Sequence, residues 1–516
     1  MDALLDLSGR VNDLLNAASL LGWDSRTMMP ASGALTLGQQ IATLTVAARD
    51  LLCSNEMAQA LDAATAPDGT PEAAMIAAVR AAVDYHSRIP AELVRRRNHL
   101  AMTAHAAWAK ACRQRDVAPF LPALSETVEV CRAWADAAGY HDHPYDALLD
   151  LYEPGNTVAN LSPLLERLRR HIAPLARDVH AAAQPGRAFL RAAYPEAAQL
   201  RVAADLAQSI GYDMSGGRLD LALHPFEVSF TRTDVRLTTW VDRHWLPRAL
   251  FTTLHEAGHG IYEQNVDPAY TRTPFATDLI LLYAVGGVSF GMHESQSRLW
   301  ENHVGRSRAF WARRFGALRD VFPDQLDGVT EDAFWRAINA STPVARRTEA
   351  DELTYDLHTI FRTEIERDLI AGTLSVGEVR DRWNADGEAA LGFAPRDDAE
   401  GMLQDVHRPV RHVLQLHDRQ RRRYSVVRGG VRRNSGRRCA RRRRGRAAGG
   451  VAQRRRLPTR ATLRARRAAG AVDRPSARSR ALSGPSRSPV RRGLRTSLTG
   501  GGAGWARPSS RERSSS

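Results

Sequence analysis

Over the first two hundred residues the apolar positions recur three and four apart. Leu4, Leu5, Val11, Leu14, Leu15, Leu20 and Leu21 open the series, and this spacing predicts helices over most of residues 1–215. Turn residues punctuate it at Pro67-Asp68-Gly69-Thr70-Pro71, near Pro90 and at Glu153-Pro154-Gly155-Asn156. Between Leu219 and Val241 the period shortens to two. Phe226, Val228 and Phe230 alternate with polar residues, as do Val235 and Leu237, which predicts a small hairpin or sheet. Helical spacing returns at Leu250, Leu254 and Ile261 and carries helices to about residue 407. No internal repeat interrupts this order. The predicted architecture is mainly α, with one small β-sheet.

The longest uncharged apolar run, Leu279–Met292, has 14 residues, too short to span a bilayer. The start, Met1-Asp2-Ala3-Leu4-Leu5-Asp6, carries acids where an export signal needs bases. Cys53, Cys112, Cys131 and Cys439 are too few in 516 residues for a disulfide framework. A cytoplasmic protein with no membrane partner is expected.

The formal charge of +15 divides the chain in two. From Arg408 to Ser516 there are 33 arginines and three acids, Asp418, Asp473 and Glu512, so that part carries +30 and residues 1–407 carry −15. The first part reads as an ordinary acidic globular domain. The second is an Arg/Gly/Ser/Pro-rich, low-complexity tail, expected to be disordered. Such a tail could neutralise phosphates. It shows no recognition fold, and its only aromatics are Tyr424 and Trp505, so nucleic acid is not the expected partner.

The sharpest chemical signal is His255-Glu256-Ala257-Gly258-His259. On a helix, residues four apart share a face, so both imidazoles can reach one metal ion, and Glu256 beside them can take a proton from water. At this chain's His and Glu content the pattern arises by chance roughly 0.02 times per chain, so a metal site outweighs two solvated histidines. Zinc suits nitrogen ligands and leaves a position open in catalytic sites. A third ligand is needed. Tyr262 and Asn265 stand where a metzincin has Gly and His, which excludes that class. Glu263, Asp267, Asp278, Glu294 and Glu301 are the candidate carboxylates, and spacing leaves Glu294 and Asp278 nearly level.

Taken together, the motifs of residues 1–407 resemble those of the carboxypeptidase Taq family of metallocarboxypeptidases. Leu21-Gly22-Trp23-Asp24 with Thr27-Met28-Met29-Pro30 resembles its N-terminal signature, and His224-Pro225-Phe226 its His-Pro-Phe motif. Asp234-Val235-Arg236-Leu237-Thr238 is similar to Asp-x-Arg-x-Thr. His293-Glu294-Ser295 follows the metal helix, and Arg347-Thr348-Glu349-Ala350-Asp351 resembles Ile-Arg-x-x-Ala-Asp, with Arg346 in place of Ile. Gly401 to His407 resembles Gly-x-x-Gln-Asp-x-His-Trp, with Arg408 in place of Trp. The segment between Pro274 and His293 is longer than the family pattern, with the added residues within Asp278–Val285.

The resemblance implies a large helical peptidase with a deep groove. It implies one zinc per chain, with cobalt as an alternative, held by His255, His259 and Glu294, and Glu256 as general base. It implies His224, Arg236 and Arg347 at the substrate, the arginines on its C-terminal carboxylate, for which a guanidinium fork is suited. An ion pair of Arg347 with Asp351 is the structural alternative. Peptide substrates, broad specificity and a homodimer are also implied. An oligopeptidase with the same zinc chemistry is the rival reading. The resemblance stops at His407. The fifteen residues from Arg408 can be encoded so that the frame one base later reads Gly-Pro-Phe-Gly-Thr-Phe-Phe-Ser-Tyr-Thr-Ile-Gly-Asn-Val, which resembles the family's next segment. A frame shift is therefore expected at that point, with a chain that is poorly active or unstable; the gene's nucleotide sequence decides it.

Overall fold

A computed structural model describes residues 1–284 and 289–404. The chain divides into two units, Met1–Leu457 and Pro458–Ser516, and every described residue belongs to the first. The expected tail and its junction at residue 407 lie outside the described residues.

The N-terminal half is helical, as the spacing predicts: α1 (Asp2–Thr27), α2 (Ala34–Leu52), α3 (Asn55–Ala63), α4 (Pro71–Arg88), α5 (Ala91–Gln114), α6 (Leu121–Ala138), α7 (Pro144–Asp150), α8 (Val158–Ala181) and α9 (Glu196–Ser209). Their starts follow local chemistry. The hydroxyls of Ser54, Thr70 and Thr157 each accept the amide three residues on, which satisfies a donor that the helix itself leaves unpaired. Pro71 occupies the first turn of α4, where its missing N–H costs nothing.

Three strands follow: β1 (Gly217–Leu221), β2 (Glu227–Thr231) and β3 (Asp234–Thr239). β2 and β3 form the expected antiparallel hairpin. β1 pairs parallel to β3, giving the order β1-β3-β2. Val235 and Leu237 alternate inward and pack with Ala257 of the next helix, so one face of the sheet is fixed against the element that carries the candidate chemistry.

The remaining helices are α10 (Leu246–Gln264), α11 (Phe290–Arg298), α12 (Arg308–Val321), α13 (Glu331–Ile338), α14 (Tyr355–Ala371) and α15 (Val379–Leu391). The helical reading needs two corrections here. Residues 339–354 are irregular apart from one 3₁₀ turn, because Pro343 removes a donor that a continuous helix needs. Among the described residues the last α-helix stops at Leu391, short of residue 407.

Separate apolar clusters support these parts. One joins α5–α8 to α14 and α15 through Phe120, Trp134, Tyr145 and Phe361. Another packs α9, α10, α12 and α13 around Trp311 and Phe334, whose rings meet edge to face at 4.7 Å. A third joins α1–α4 with Leu279 and Ala284 of the loop before α11. Among the described residues no helix is long and apolar enough to cross a membrane.

Candidate metal centre

α10 is buried along most of its length. Leu246, Leu250, Phe251 and Leu254 face the Trp311 cluster, and Ala257 faces the sheet. This leaves His255 and His259 on the side that meets α11. The two helices approach closely at Gly258. A Cβ there would lie 2.6 Å from the Ser297 Cα and 2.7 Å from the Gln296 carbonyl oxygen, so only glycine allows the crossing. The close approach brings Glu294 of α11 beneath both histidines.

The Glu294 Oε2 stands 3.2 Å from His259 Nε2 and 3.6 Å from His255 Nε2. The three side chains offer ligand atoms that all lie within 4.8 Å of one another, the one such group of three among the described residues. Ligands at about 2.0–2.1 Å from a tetrahedral ion stand about 3.3 Å apart, so the spacing suits a small divalent cation. The donor set of two imidazoles and one carboxylate suits zinc. His259 is 2% exposed, and neither of its ring nitrogens has a hydrogen-bond partner. An unmet polar atom at that depth is costly, and a cation at Nε2 would satisfy it.

The other candidate carboxylates have different partners. Glu301 accepts a hydrogen bond of 2.8 Å from His255 Nδ1 and one of 2.5 Å from Arg298 Nη1. It therefore orients the imidazole, leaving Nε2 free to face Glu294. A single π turn over Leu299–Val304 follows α11 directly and places Glu301 there. Glu263 lies 2.8 Å from His293 Nε2, and the His293 ring stacks on His259 with centroids 4.5 Å apart. Asp278 accepts the amides of Ile280 and Leu281, and Asp267 accepts that of Ala269. Spacing alone put Glu294 only slightly ahead of Asp278; in the structure Asp278 is a loop residue.

The electrostatics follow from this crowding. Burial opposes a proton on His255, but Glu294, Glu301 and Glu256 outweigh it and push its pKa up to about 9. Burial, together with the neighbouring His293 and His255, pushes His259 well below its ordinary value. Burial opposes ionisation of Glu301, yet Arg298 and His255 hold its carboxyl down at about 2. Glu256 is itself 7% exposed, within α10 beside the first histidine.

The expected substrate residues are placed less uniformly. Arg347 is buried and its Nε lacks a partner, while its Nη1 donates to the Tyr355 hydroxyl. Tyr355 lies under two guanidiniums, those of Arg347 and Arg298, each 5.2 Å from the ring centroid. Arg347 is thus joined to the histidine cluster through Tyr355, Arg298 and Glu301. The alternative pair with Asp351 does not form among the described residues. Residues 347–351 are not one helix, and Asp351 accepts the amides of Thr342, Leu353 and Thr354 instead. Arg236 makes a two-pronged contact with Asp234, 2.9 Å on each arm, and stacks on Trp23 and Phe230. His224 lies exposed between β1 and β2. Arg298, Tyr355 and His293 were missed as members of the site. For Arg298 the signal available was its spacing, four residues after Glu294 on α11 and three before Glu301.

Residues 3–411 match the sequence model of the carboxypeptidase Taq (M32) metallopeptidases. This chain belongs to that family. It is 37% identical over 406 residues to Carboxypeptidase 1 of Bacillus subtilis, covering 78% of this chain and 79% of that one. It is 36% identical to Thermostable carboxypeptidase 1 of Thermus thermophilus, over 78% of this chain and 80% of the relative. The fold agrees with a crystal structure of an M32 carboxypeptidase from Deinococcus radiodurans, at TM-score 0.74 and 36% identity, covering 84% of this chain and 90% of that one. A Pyrococcus furiosus carboxypeptidase structure gives TM-score 0.77 at 28% identity, covering 84% and 86%. The chain is therefore a peptide hydrolase of a metallocarboxypeptidase family, and membership implies a catalytic metal.

Proposed function

We propose that the protein removes C-terminal residues from peptides, with His255, His259 and Glu294 holding one divalent ion and Glu256 serving as general base. The observation that carries this reading is the convergence of Glu294 Oε2 on the two Nε2 atoms at 3.2 and 3.6 Å. An ion bound there would lower the pKa of water and polarise the scissile carbonyl. Glu256 would accept the proton of the attacking water and return it to the leaving amine. Arg347, buried with an unpartnered Nε, would take the substrate's terminal carboxylate. Arg236 and His224 are assigned to the substrate on motif similarity alone. The proposed ion is zinc, with cobalt able to replace it. Broad side-chain preference, a homodimer and a cytoplasmic setting complete the proposal.

The test separates an exopeptidase from the oligopeptidase alternative. A peptide with a free C-terminus should lose single residues, and its amidated twin should resist. Arg347→Ala should lower kcat/KM on the free acid by about 10–100-fold, the loss of one charge-assisted bidentate contact. Equal cleavage of both peptides would favour the oligopeptidase.

A further inference from the structure

The turn after α7 carries a carboxylate that the chemistry above does not use. Glu153 Oε1 and Oε2 lie 2.7 and 2.9 Å from the Ser289 hydroxyl, and Oε2 also accepts the Gly291 amide at 3.1 Å. Ser289 is the N-cap of α11, and its oxygen accepts the Met292 amide at 3.0 Å. Glu153 therefore holds both the cap and an open amide of the helix that presents Glu294, three residues beyond Gly291. Negative charge is favoured at that end of a helix. Next to it, Tyr152, 2% exposed, meets the Phe290 ring edge-on at 6.0 Å.

The carboxylate is presented by a stiff support. Glu153-Pro154-Gly155-Asn156 closes with the Asn156 amide 3.1 Å from the Glu153 carbonyl oxygen. Pro154 fixes one torsion, and Gly155 takes φ +84°, the positive value that the third position of a type II turn requires. Asp150 binds the Gly155 amide at 2.7 Å and Asn160 binds its carbonyl at 3.2 Å. The turn is continuous with the α5–α8 cluster through Leu151 and Tyr152. α11 is thus gripped at its start by Glu153 and near its end by the backbone crossing at Gly258.

We propose that Glu153 is a positioning residue for the metal site: by clasping Ser289 and Gly291 it fixes α11 along its axis and sets where the Glu294 carboxylate stands relative to His255 and His259. The proposal rests on the reading of Glu294 as a ligand. Nothing in it requires Glu153 to touch the ion or the peptide.

The test uses the full chain loaded with Co²⁺, whose visible spectrum reports the ligand geometry, and follows its loss to excess chelator. Glu153→Gln should lose the ion about tenfold faster and alter the spectrum, as removal of a supporting partner commonly does. Ser289→Ala, which cuts the same clasp from the helix side, should shift both readouts in the same direction, and so keeps the test valid if Glu153→Gln folds poorly. In a Glu294→Gln background, Glu153→Gln should add less than about twofold, because residues that act through one another are not additive. Parent-like release and spectrum in both clasp variants would overturn the proposal, as would multiplicative effects in the double variant. If Glu294→Gln itself holds the ion like the parent, the ligand assignment fails, a result distinct from failure of the clasp alone.

Discussion

Replacing Gly258 with alanine tests the helix crossing on which the whole site depends. The added methyl would start 2.6 Å from the Ser297 Cα, against an ordinary contact of 3.4 Å or more, so α10 and α11 must part by about 0.8 Å. Backbone lies on the far side, so no side chain can swing away. Overpacking of this kind costs about 1–3 kcal/mol, while alanine recovers about 1 kcal/mol of helix propensity over glycine. The net loss of stability should be modest, between about 0 and 2 kcal/mol. The effect on metal should be larger. Ligand distances tolerate errors of about 0.2 Å, and a displacement of Glu294 several times that size should weaken the ion by about 10–100-fold. Competition with a chromophoric chelator measures the affinity, and denaturant unfolding of the metal-free proteins measures the stability. Gly38→Ala on α2, where nothing lies within 4 Å of the new methyl, is the control and should only stabilise. Metal binding as tight as the parent's in Gly258→Ala, with the same gain in stability as Gly38→Ala, would refute a tight crossing at Gly258.

Two further outcomes follow from buried groups. Glu301→Gln keeps the shape of the side chain but removes the charge that meets His255 Nδ1 at 2.8 Å, so metal release should quicken about 10–100-fold in a chelator assay. His86 Nε2 donates to the Leu279 carbonyl at 2.9 Å, and burial, with help from Arg49 and Arg97, lowers its pKa below the ordinary 6.5. A lowered histidine pKa means the unfolded chain binds the proton first, so stability from this site is present above pH 6.5 and is lost as pH falls below it. His86→Gln, which can keep the donor, should flatten the fall in unfolding temperature between about pH 7 and 5.5; an unchanged slope would refute this.

How much could be read beforehand depended on how local each feature is. The pair His255 and His259 was legible because four residues on a helix fix one face, whatever the rest of the chain does. The hairpin was legible from the alternation of Phe226, Val228 and Phe230 with the second run at Val235 and Leu237. The parallel pairing of β1 to β3 was not, since no local pattern encodes which strand becomes a neighbour. The different surroundings of Glu263, Asp267, Asp278, Glu294 and Glu301 depend on the crossing at Gly258 and the π turn at Leu299–Val304, both set by packing between helices. For the same reason Arg347 and Asp351 look like a helical pair in sequence, while Pro343 and the irregular segment send each to a different partner. Spacing put Glu294 only slightly ahead of Asp278, and family resemblance raised it well above.

Three side chains are proposed to hold the ion and a fourth to move the proton, and Glu256→Gln separates these roles. Metal content and peptide hydrolysis should be measured on the same preparation of that variant. The account predicts one divalent ion per chain, as in the parent, and a fall in kcat of at least about 10²-fold on a free-acid peptide, because a positioned base contributes on that order. Hydrolysis at the parent rate with the ion in place would contradict it.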